Sequence, residues 1–181
     1  PGNTYHIPLN PGSRKQFGNA NLDGFTCCNG TALESGTKLQ DSIYFQSTDH
    51  QTVFVNLFVP ATLNWTERKV VLTQRTSFPH EDSTRLTIAG GGKFGLSIRV
   101  PKWATRGFQL KINGQPKTGD AVPGSYLTLT QDWKDKDVVE WRMPFNFHLN
   151  RVMDQPNLAS VFYGPVLLAA EESEPRSDWR P

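Results

Sequence analysis

Between Gly92 and Val100 every second side chain from Phe94 onward is apolar: Phe94, Leu96, Ile98 and Val100, with Ser97 and Arg99 between them. A period of two sends alternate side chains to opposite faces of an extended strand, so this stretch buries its apolar set only as part of a sheet. Leu96, Ile98 and Val100 are therefore expected to point into a core, and Ser97 and Arg99 away from it. The same texture runs through the chain after Asp41. Ile43-Tyr44-Phe45, Val53 to Val59, Val70 to Phe78, Arg85 to Ile88 and Phe108 to Ile112 are short β-branched and aromatic runs. Tyr126 to Leu129, Val138 to Trp141, Phe145 to Leu149, Ser160 to Tyr163 and Pro165 to Ala170 continue the series. Polar turns such as Thr48-Asp49-His50-Gln51 divide them, and Asn113-Gly114 tolerates the positive φ angles of a type I′ turn and predicts a hairpin. With 15 Gly and 13 Pro among 181 residues, about ten strands so punctuated predict an all-β fold, an antiparallel β-sandwich over residues 41–170.

Helical patterning is convincing once. From Asn29 to Gln40 the pair Thr31-x-x-Glu34 reads as a capping box, Glu34 and Lys38 stand at i,i+4, and Leu33 with Leu39 mark an apolar side. Gly36 weakens this helix. Residues 1–26, rich in Pro, Gly and Asn, read as a loop-like lead-in, and residues 171–181 as a tail or linker.

The predicted start of that helix stands beside the two cysteines of the chain, Cys27 and Cys28. A thiol near a helix N-terminus faces unpaired backbone N–H groups and the positive end of the macrodipole, which favours the nucleophilic and metal-binding thiolate. A disulfide between them is disfavoured, because neighbouring Cα atoms lie about 3.8 Å apart and unstrained disulfides need about 4.4–6.8 Å. The spacing leaves two readings open, small apolar core residues or a reactive, metal-binding pair.

The remaining candidates are weaker. His6, His50, His80 and His148 stand at no metal-ligand spacing from one another. Trp65, Trp103, Trp133, Trp141 and Trp179 could stack on sugar rings, although core packing accounts for most such residues. Asp132-Trp133-Lys134-Asp135-Lys136-Asp137 reads as a charged, solvated turn, and no pair of carboxylates suited to glycoside chemistry stands out. The net charge of +2 argues against a nucleic-acid partner, and no run approaches the ~18 apolar residues of a membrane span. The opening Pro1-Gly2-Asn3, without Met, reads as an excised or processed product and leaves the compartment open, with secretion or the periplasm slightly favoured.

Several separated motifs together resemble one family. Cys27-Cys28-Asn29-Gly30-Thr31-Ala32-Leu33-Glu34, Lys38-Leu39-Gln40-Asp41-Ser42-Ile43-Tyr44-Phe45 and Val55-Asn56-Leu57-Phe58-Val59-Pro60 follow one another. Downstream come Gln74-x-Thr76-x-Phe78-Pro79, Arg99-Val100-Pro101-x-Trp103-Ala104, Asn113-Gly114, Pro123-Gly124-x-Tyr126 and Tyr163-Gly164-Pro165-Val166-Leu167. In this order they resemble the bacterial β-L-arabinofuranosidases of glycoside hydrolase family 127 and their relatives, over about residues 7 to 170.

The resemblance implies a larger enzyme, with an N-terminal (α/α)6 barrel that carries the active site and β-sandwich domains behind it. Residues 1–40 would then be the lead-in and terminal helix of a truncated barrel. By the same carry-over Cys27 matches the nucleophile and Cys28 a zinc ligand, with the Cys27 sulfur also on the metal. The family's acid/base glutamate, and the glutamate and cysteine that complete its zinc site, lie upstream in the barrel, and residues 1–26 do not supply them. The expectation is a fragment of a retaining glycosidase that is inactive alone and binds zinc weakly or not at all, whose partners are its own upstream barrel and, through it, a carbohydrate. The alternative is a non-catalytic β-sandwich that supports a neighbouring domain or binds carbohydrate through an aromatic face.

Overall fold

The computed structural model describes residues 27–38 and 40–169, without the side chains of residues 27–29 and 156. The expected lead-in, the tail, His6 and Trp179 lie outside the described residues. Residues 41–169 form one compact unit, and helix α1 (Cys27–Lys38) belongs to the other. Among the described residues no helix is long and apolar enough to cross a membrane.

The fold is the expected β-sandwich, built from more strands than the ten anticipated. One sheet has the order β1-β2-β6-β9: β1 (Tyr44–Gln46), β2 (Thr52–Val55), β6 (Gly92–Val100) and β9 (Ser125–Trp133). The other has the order β3-β4-β5-β10-β7-β8: β3 (Ala61–Trp65), β4 (Val70–Thr76), β5 (Ser83–Ala89), β10 (Val138–Arg142), β7 (Gln109–Ile112) and β8 (Gln115–Lys117). A three-stranded sheet of β11 (Phe147–Val152), β12 (Gln155–Tyr163) and β13 (Val166–Leu167) pairs with neither.

Both large sheets contribute to one core, in which Val53, Leu96, Ile98 and Val100 meet Leu72, Leu86, Ile88 and Val139. Leu96, Ile98 and Val100 are fully buried, as the alternation requires. Ser97 is buried as well, on the opposite face of β6, where its hydroxyl lies 2.6 Å from that of Thr128. The hairpin at Asn113-Gly114 forms, with φ of 51° and 76°, and sets Ile112 opposite Gln115.

One pairing departs from the antiparallel expectation. β2 runs parallel to β6, with Val53 beside Leu96 and Val55 beside Ile98. The chain between them crosses to the opposite sheet as β3, β4 and β5, so no hairpin turn fixes their relative direction. Their close approach requires Gly95, where an added Cβ would lie 2.8 Å from the Thr52 hydroxyl oxygen. The run from Val53 also ends early as a strand. The N–H groups of Asn56 and Leu57 both donate to the Ile43 carbonyl, which folds this segment over as a loop.

Tyr44, packed against the core from β1, carries a hydroxyl that is buried without a hydrogen-bond partner among the described residues. Burial raises its pKa to about 12, because the phenolate cannot be solvated there. The folded state therefore holds the proton that the unfolded chain releases near pH 10. The resulting stability is present below pH 10 and is lost between pH 10 and about 12. Tyr44→Phe is expected to change stability at pH 7 by no more than about 1 kcal/mol. It should also remove this part of the alkaline loss, as read by urea denaturation at stepped pH.

Candidate functional site

The described helix α1 already includes Cys27, four residues before the expected cap. Thr31 is thus an interior helical residue and the predicted capping box does not form. Its carbonyl accepts a hydrogen bond from the Ser35 hydroxyl at 2.8 Å, and Glu34 pairs with Lys38 at 2.5 Å along the exposed face. A Thr-x-x-Glu spacing is also an i,i+3 pair inside a helix, and here the i,i+4 lysine holds the glutamate. Both cysteines belong to the N-terminal end of the described helix, and no acidic residue stands among its first four described positions. Gly36 occupies an open helical position, with nothing within 4 Å of an added Cβ. Gly36→Ala is expected to stabilise α1 by about 1 kcal/mol, seen as slower amide exchange over its last turns.

Thiolates are zinc donors, so Cys27 and Cys28 suit that metal by type. A tetrahedral zinc site needs four ligands, so the pair would supply at most half of one. Among the described residues no group of three or more His, Cys, Asp and Glu side chains is placed to hold an ion. His50, His80 and His148 stay apart; the ring of His148 stacks on Phe162 at 5.2 Å.

The four described tryptophans are structural. Trp65, Trp133 and Trp141 are 2%, 1% and 1% exposed, and Trp103 stacks on Phe78 at 6.3 Å. The expected charged turn at Asp132–Asp137 links β9 to β10, and its carboxylates hold backbone N–H groups. Asp135 accepts from Gly90 at 2.9 Å and Asp137 from Lys134 at 2.8 Å.

Downstream of α1, the motifs behind the family resemblance meet one another in space. Gln74, 1% exposed, donates to the carbonyls of Leu57 and Val59 and so clamps the loop after β2. Asn56 in that loop accepts from the Tyr126 hydroxyl at 2.8 Å. Rings of Phe78, Trp103, Phe145 and Tyr163 then pack edge to face or stacked in a continuous chain from the sandwich to the third sheet. These residues hold the scaffold together.

A second feature has no local signal in the sequence. The outer face of the six-stranded sheet carries a groove of about 630 Å³ lined by Arg75, Arg85, Lys111, Glu140 and Arg142 with small polar side chains. Each of these charges stands at an outward position of its strand, but the strands are dispersed in sequence.

A family model for the β-L-arabinofuranosidase GH127 middle domain matches residues 52–145. The non-reducing end β-L-arabinofuranosidase of Bifidobacterium longum subsp. longum is 24% identical over 165 residues, which are 86% of this chain and 25% of that protein. A solved glycoside hydrolase superposes with a TM-score of 0.69 and 28% identity over 80% of this chain and 25% of its own. A GH127 β-L-arabinofuranosidase from Geobacillus stearothermophilus T6 gives 0.68 and 24% identity, with 78% of this chain and 23% of its own covered. The chain thus spans about a quarter of the length of these relatives. On the match to residues 52–145, the chain belongs to the GH127 β-L-arabinofuranosidase family and contains its middle domain.

Proposed function

We propose that this chain is part of a longer retaining glycoside hydrolase of the β-L-arabinofuranosidase kind. Residues 1–40 would close its catalytic barrel, 41–170 would form the sandwich behind it, and 171–181 a tail or linker. Cys27 is the nucleophile, and Cys27 and Cys28 are two of the ligands of a zinc ion. The observation that supports this reading is the match of residues 52–145 to the GH127 middle domain, with both cysteines shortly upstream in helix α1. Zinc, when bound, keeps coordinating thiols deprotonated at neutral pH.

The Cys27 thiolate attacks the anomeric carbon, forming a C–S bond as the glycosidic C–O bond breaks. The leaving oxygen takes its proton from an acid outside this chain. Water then displaces the sulfur, its proton returning to that same group, and two inversions leave the configuration retained. The thiolate thus stands where most retaining enzymes place a carboxylate.

The test is a paired assay with chromogenic β-L-arabinofuranosides on a longer protein that carries this segment and on the 181-residue chain. Turnover is expected only from the longer protein, and metal analysis after dialysis is expected to find firmly held zinc there and little in the short chain. Turnover by the short chain would show that the chain carries its own acid and would overturn this reading.

A further inference from the structure

Arg75 on β4, Arg85 on β5, Glu140 on β10 and Lys111 on β7 stand opposite one another in register and form one transverse row across four adjacent strands. Ser83, Arg142 and Gln109 form the next outward row. Both rows line the groove of about 630 Å³. From this arrangement we propose that the outer face of the six-stranded sheet is a binding site for an acidic oligosaccharide, held through its carboxylates.

Like charges directly opposite each other destabilise a sheet, and Arg75 faces Arg85. Arg85 is drawn to Glu140, at 2.7 Å. Arg75 and Lys111 have no ion pair among the described residues and stand at the two ends of the row. At about 4.8 Å per strand these ends are roughly 14 Å apart, a span suited to a short oligomer with separated charges. Arg142 is pinned through its Nε, which lies 2.9 Å from both Asp82 carboxylate oxygens, and so adds a fixed cation to the second row.

The rest of the lining narrows the ligand class. The indole of Trp141 belongs to the core, so no exposed ring offers a neutral sugar a stacking face. Ser83 and Gln109 suit hydroxyl groups, and the carboxylates of Glu81 and Glu140 accept from hydroxyls while repelling a dense polyanion such as nucleic acid. A uronate oligomer meets these conditions, with isolated carboxylates among many hydroxyls. The choice of a glycan rests on the proposed function; the choice of an anionic one rests on the charges alone.

Isothermal titration of the 181-residue chain with a short oligogalacturonate tests the site. The comparison ligands are its carboxyl-reduced counterpart, a single-stranded oligonucleotide and inorganic phosphate. The oligogalacturonate is expected to bind, more weakly as salt rises, and the reduced sugar about tenfold less tightly or not at all. Arg75→Gln and Lys111→Gln, both exposed, should each weaken binding by about tenfold, the worth of one charge-assisted contact, without lowering the thermal midpoint. Equal affinity for the reduced sugar, tighter binding of the oligonucleotide or phosphate, or unaffected variants would each overturn the proposal. The titration needs no turnover, so its failure leaves the glycosidase reading intact. A longer protein without glycosidase activity would overturn that reading and not this site.

Discussion

Ile98→Asp is expected to unfold the sandwich. Ile98 is fully buried in β6, beside Val55 on one strand and Leu127 on the other. The substitution removes the packed isoleucine and puts a carboxylate among the apolar side chains of the core. Burial of such a group costs several kcal/mol, on the order of the whole stability of a domain this size, about 5–15 kcal/mol. Ile98→Val, which removes one methylene group, should cost about 1 kcal/mol. Thr130→Asp, on the exposed face of β9 opposite Gly95, should stay within about 0.5 kcal/mol of the parent. Far-UV circular dichroism during heating reads all three. A melting point for Ile98→Asp within a degree or two of the parent would show that β6 does not carry the core.

The series also shows which parts of the fold were open to sequence reasoning. β6 was legible because one sheet face is buried along its whole length, and a one-residue slip would expose every apolar side chain on it. The hairpin of β7 and β8 was legible from its turn alone. β8 itself was not, since Gln115-Pro116-Lys117 has no apolar run and is a strand only because the turn hands it the register of β7. β3 was overlooked for a similar reason. Ala61-Thr62-Leu63-Asn64-Trp65 buries chiefly its last residue, and its pairing with β4 holds the rest in place. The parallel pairing of β2 and β6 depends on how the chain crosses between sheets, which no local pattern records.

The candidate site divides in the same way. Cys27 and Cys28 could be picked out by residue type and by their nearness to a predicted helix, although the helix already includes them, ahead of the capping pattern. The groove on the six-stranded sheet could not. Arg75, Arg85, Lys111 and Glu140 become neighbours only through the strand order β4-β5-β10-β7, so their charges look like ordinary solvated positions along the chain.

Cys27→Ser, in a longer protein carrying this segment, is expected to lower turnover of a β-L-arabinofuranoside by about a thousandfold or more, the scale seen when a covalent nucleophile is removed. Serine keeps the size of the side chain but is not ionised at neutral pH without a base beside it, and its hydroxyl is a poor zinc donor. Because the helix needs no thiol to form, the thermal midpoint of the sandwich unit should be unchanged. Cys28→Ser separates the two roles. It should weaken zinc retention on dialysis and lower turnover, yet leave a sulfur nucleophile able to form a covalent adduct. Mass spectrometry after quenching with a slowly released substrate should therefore find a glycosyl adduct on Cys27 in the parent and none in Cys27→Ser. Undiminished turnover by Cys27→Ser, or an adduct mapped to a carboxylate, would remove Cys27 from the mechanism and return the pair to a structural or purely metal-binding role.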